Sequence, residues 1–77
     1  MFHVKHDMKF SILTKEEQIQ HIMAQSLSLQ SDIAGALPYS SFVLLPIEER
    51  TQLVTEAVFH TPCFIVQKIV EHYETVA

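Results

Sequence analysis

Seventy-seven residues carrying a formal net charge of −4 and 48% hydrophobic side chains point to one small domain, because a chain this short buries only about 60–65% of the surface its unfolded form exposes. The single cysteine, Cys63, excludes an intrachain disulfide and fits a reducing, cytoplasmic setting. Five basic residues against nine acidic ones, with Arg50 the sole arginine, argue against recognition of a phosphate backbone.

Phe2, Val4, Met8, Phe10 and Ile12 fall on one side of an extended chain, and His3, Lys5, Asp7, Lys9 and Ser11 on the other. Such a two-residue period is that of a half-buried strand, so residues 1–13 read as a strand or arm. Its partner would be the β-like run at residues 41–45, its own copy in a second subunit, or the sheet edge of another protein. Thr14 followed by Glu17 forms a capping-box pattern, and Ile19, Ile22, Met23, Ser26 and Leu27 continue an apolar stripe. The spacing predicts a helix over residues 14–30. Ser31 and Asp32 suggest a second start, with Ile33, Ala34, Ala36 and Leu37 forming a short helical piece that Pro38 ends. Residues 38–45 then read as extended.

Pro46 suits a first helical turn, and Glu48 and Glu49 suit its positive dipole end. A helix over residues 46–59 follows, with Ile47, Leu53, Val54, Ala57 and Val58 inward. Thr61 and Pro62 repeat the start signal. From there Cys63, Phe64, Ile65, Val66, Ile69, Val70 and Tyr73 carry an apolar band to the C-terminus, so the last two helices are expected to pack together about His60. No apolar run exceeds that of residues 42–45, far short of a bilayer span, and the N-terminus lacks the apolar core of a secretion signal. A membrane role is not expected.

Five histidines raise the question of metal. His3 with His6, and His60 with Cys63, have usable ligand spacings, and Asp7, His21 and His72 are the remaining candidates. A structural zinc site nevertheless wants four ligands, and no four-ligand pattern is present. A metal-stabilised structural subunit is thus an alternative, and the expectation is no metal and no cofactor. His60 and Cys63 supply two members of a nucleophilic triad without the third. Gly35 is the only glycine, so no phosphate-cradling loop exists, and no enzyme activity is expected.

Residues 30–37, with a polar start, the Ile33-Ala34 pair and Leu37 three residues later, resemble the first helix of a helix-turn-helix motif, over about a quarter of the chain. The resemblance implies a DNA-binding transcription regulator whose recognition helix spans residues 39–45, with Leu45 and Ile47 inward and Tyr39, Ser40 and Ser41 facing a groove. The sequence departs from that pattern, which makes the motif a degenerate one. Pro38 stands where the family prefers glycine, Pro46 cuts the second helix short, and no Lys or Arg lies between Lys15 and Arg50.

Apolar residues between Phe59 and Tyr73 occupy more than a third of a helical circumference, so part of that band is expected to face another chain. The sequence as a whole predicts a mainly α domain (α or α+β) over residues 1–77, with three to four helices and an N-terminal strand pairing within or between chains. Its expected role is that of a non-enzymatic, acidic interaction module, a regulator or inhibitor that binds another protein stoichiometrically and forms a homodimer. The expected interface residues are Phe2, Val4, Phe10, Phe64, Ile65, Ile69 and Tyr73, since aromatic and large aliphatic groups dominate interface energetics.

Overall fold

The Thr14 hydroxyl accepts a hydrogen bond from the Glu17 amide at 3.1 Å, and the Glu17 carboxylate accepts one from the Thr14 amide at 2.9 Å. This reciprocal cap starts α1 (Lys15–Met23) in a computed structural model that describes residues 10–75. The other helices are α2 (Leu27–Ala34), α3 (Tyr39–Phe42), α4 (Ile47–His60) and α5 (Cys63–Thr75), preceded by a 3-10 turn at Phe10–Ile12. The expectation of a mainly helical small domain holds, with five α-helices and no strand among the described residues.

Several expected boundaries are corrected. The alternating N-terminal segment lies outside the described residues up to position 9. Its last part, Phe10–Ile12, is a 3-10 turn rather than a strand, and the Leu13 amide donates to the Phe10 carbonyl. The helix expected over residues 14–30 is two helices, because Ser26 interrupts it. The Ser26 hydroxyl accepts from the Leu29 amide at 3.2 Å and caps α2, a local bond that competes with continuation of the helix. Ser31 and Asp32 consequently lie inside α2. Gly35, at φ 65°, ends that helix ahead of Pro38, its amide donating to the Ser31 carbonyl.

Residues 41–45, expected as a strand, complete α3 and then turn. The Leu44 and Leu45 amides donate to the Ser41 and Phe42 carbonyls, and the fully buried Phe42 side chain fixes the segment. Those local bonds remove the need for a ladder partner. Pro46 caps α4 from just outside it, and the carbonyl of Pro46 accepts from Glu49 and Arg50.

The core is built by Phe10, the α1 pair Ile19 and Ile22, Leu29 and Ile33 of α2, Phe42, Val54 and Val58 of α4, and Val66 and Val70 of α5. Each such burial stabilises by about 1.5–3 kcal/mol. The last two helices do not form the expected packed pair: α4 packs on α1 and α2, whereas α5 packs on α2 and the 3-10 turn. The eight-residue α2 is therefore central, touching α1, α3, α4 and α5.

Polar side chains tie the junctions. Gln30, 3% exposed, donates from Nε2 to the Met23 and Gln25 carbonyls at 3.1 and 3.2 Å, closing the break between α1 and α2. Its Oε1 accepts from Arg50 Nη1 at 2.8 Å, while Arg50 Nε donates to the Leu45 carbonyl. One Gln-Arg pair thus braces two turns far apart in sequence. His21 Nε2 meets Glu74 Oε2 at 2.7 Å, joining α1 to the end of α5. No helix among the described residues is long and apolar enough to cross a membrane.

Candidate functional site

Gln18 gathers one end of the molecule. Only 2% exposed, it donates from Nε2 to the Phe10 and Leu13 carbonyls, both at 3.2 Å, and the same nitrogen lies 3.5 Å from Cys63 Sγ at the start of α5. Beside it, Lys15 Nζ donates to the Val58 carbonyl at 3.3 Å, near the end of α4. The 3-10 turn, the start of α1, the end of α4 and the start of α5 are held together by these contacts.

On the outside of that junction stand three large apolar side chains: Ile12, 68% exposed, Phe59, 55%, and Phe64, 64%. Each is one residue from a group in the Gln18 and Lys15 contacts. Together they expose on the order of 350 Å² of side chain, comparable to the largest apolar patch of an ordinary monomer, which is often functional. Ile65, 40% exposed, extends this surface along α5. A second exposed pair, Leu44 and Ile47, lies at the corner between α3 and α4.

The expected interface residues are divided by the fold. Phe2 and Val4 lie outside the described residues. Phe10 is corrected to the core at 7% exposure, drawn inward because its carbonyl bonds Gln18 and its ring meets His21 edge-on. Ile69 and Tyr73 pack partly buried against the core, which leaves Phe64 and Ile65 on the surface. Ile47, expected inward, is exposed, although it shares the helical phase of the buried Val54 seven residues on. The sequence band from Phe59 onward signalled the α5 surface, whereas nothing in the periodicity signalled Ile12, Leu44 or Ile47.

Tyr73 donates its hydroxyl to Asp32 Oδ2 at 2.7 Å, linking α5 to α2. That hydrogen bond raises the phenol's pKa above the ordinary tyrosine value, with desolvation and the Asp32 charge adding to it.

The candidate metal ligands are dispersed. His60 Nδ1 lies 2.8 Å from the Glu56 carbonyl, Cys63 adjoins Gln18, and His21 pairs with Glu74. Among the described residues no group of three or more His, Cys, Asp or Glu is placed to hold a metal ion; His3, His6 and Asp7 lie outside them. The segment that would be a recognition helix, α3, has four residues. Lys15 and Arg50 are committed to backbone carbonyls.

Comparison with protein-family models, with curated proteins and with solved structures gave no match.

Proposed function

We propose that the protein is a small acidic interaction module, a regulator or inhibitor that acts by stoichiometric binding to another protein and performs no chemistry of its own. The observation that carries this reading is the exposure of Ile12, Phe59 and Phe64 above the Gln18 junction. Exposed aromatic side chains on a braced surface are the groups that bury best against a partner. Charge supplies the second element. Eight carboxylates against three cations among residues 10–75 favour a partner whose surface is basic around an apolar centre. A second copy of the chain would use the same apolar end, which keeps a homodimer within this reading.

The test is a Phe59→Ser/Phe64→Ser double variant. Both residues are exposed, so helicity by circular dichroism should match the parent. Capture of protein partners, and any concentration-dependent mass in sedimentation, should fall at least tenfold. A variant that associates as the parent does would remove the proposal.

A further inference from the structure

At the opposite end of α5 from Phe64, about 14 Å along the helix, an open cleft of about 370 Å³ is lined by Ser28, Ser31, Asp32 and Gly35 of α2 and its cap, with Leu37, Tyr39 and Tyr73. We propose that this cleft receives the cationic side chain, guanidinium or ammonium, of a partner protein, with the Asp32 carboxylate as its anchor and the Tyr39 and Tyr73 rings as its walls. The proposal rests on the interaction reading above and supplies a specific recognition element for it.

Several features converge on a cation. Tyr73 holds one oxygen of Asp32, which fixes the carboxylate, and among the described residues no other group bonds it. Asp32 also lies in the last turn of α2, which carries no basic residue. Peptide dipoles place negative potential at a helix C-terminus, where a carboxylate is normally avoided and a cation preferred. The fold therefore adds a carboxylate to an already negative helix end, and among the described residues no cation pairs with it.

The remaining lining fits the same ligand. Tyr39, half exposed, lines the cleft, and a cation placed over an aromatic ring gains further attraction. Ser31, more than nine-tenths buried, is among the lining residues, and no described group bonds its hydroxyl. Ser28 offers a second hydroxyl acceptor, and Leu37 offers apolar surface for a methylene stem. The cleft is open rather than enclosing, so it suits a side chain presented on a larger body better than a free small molecule that must be surrounded.

Titration of isotope-labelled full-length protein with N-acetylarginine amide and with N-acetyllysine amide, followed by NMR against sodium chloride of equal ionic strength, tests the site. Saturable shifts confined to residues 28–39 and Tyr73 are expected. Asp32→Asn, which keeps an acceptor for Tyr73, should weaken binding about tenfold or more, as loss of a charged hydrogen-bond partner does. Tyr39→Ala should weaken it about threefold while helicity persists. Shifts no larger than those of salt, or unchanged shifts in Asp32→Asn, would overturn the proposal. Shifts from spermidine with none from either amide would overturn the assignment to a protein side chain. The Phe59→Ser/Phe64→Ser variant should titrate like the parent. Loss of partner capture in that variant together with a silent cleft would leave the interaction reading standing and remove this one.

Discussion

Replacing Gln30 with Met keeps the volume of the side chain and deletes all of its hydrogen bonding. Gln30 is almost fully buried and makes three bonds, two to carbonyls at the α1–α2 junction (Met23 and Gln25) and one from the Arg50 guanidinium. The neutral bonds are each worth about 1 kcal/mol net, and one to a charged group about 1.5–3 kcal/mol. Arg50 is only partly buried and regains water, so its share falls at the low end. Gln30→Met should therefore destabilise by about 2–4 kcal/mol, a large part of the 5–15 kcal/mol typical of a whole domain. Urea unfolding followed by circular dichroism measures this directly. The variant should unfold at lower urea with an unchanged slope. Arg50→Met in the same background should cost less than it does alone, since the two share a bond, with a coupling of roughly 1 kcal/mol. A loss below about 0.5 kcal/mol in Gln30→Met, or strict additivity with Arg50→Met, would refute the view that this pair braces both junctions.

Gly35→Ala should cost about 1 kcal/mol in the same assay. A methyl there meets only the Ile33 and Asp32 carbonyl oxygens, at 3.8 and 3.9 Å, so the cost comes from φ 65° rather than from a clash. The Tyr73 phenol has a raised pKa in the folded state, so its contribution to stability is fully present below about pH 10 and is lost as pH rises through the folded value. Asp32→Ala, which removes the acceptor altogether, should move the Tyr73 absorbance titration downward and remove that alkaline loss. An unchanged titration would contradict the hydrogen bond as the main cause.

Local signals in the sequence translated directly into structure. Thr14 with Glu17 capped α1, Glu48 and Glu49 opened α4, and Thr61 with Pro62 preceded α5. Each depends on atoms a few residues apart, which a linear reading captures. The break at Ser26 escaped because Ile22 and Leu29, both buried, are seven residues apart and keep the helical phase across it. A stripe running through a junction looks the same as a continuous helix. The residues that settle the junction, Gln30 and Arg50, are twenty apart and carry no mutual signature. Alternation around Phe10 and Ile12 suggested a strand, whereas Phe10 and Leu13 are also one 3-10 turn apart, and the buried Gln18 amide selects that geometry. At the candidate site, Phe64 and Ile65 were legible from an apolar band too wide for one helix face. Ile12, Leu44 and Ile47 were not, since exposure depends on how far a neighbouring helix extends.

The position of α2 has a consequence for how the molecule comes apart. Since α4 and α5 each lodge against this eight-residue helix rather than lengthwise on one another, unseating α2 strips both of their main neighbour and frees α3 as well. What would remain is the α1 and α4 pair with Ile19, Ile22, Val54 and Val58 between them, so loss of α2 costs α5 its main helical support while one helix pair keeps its contact.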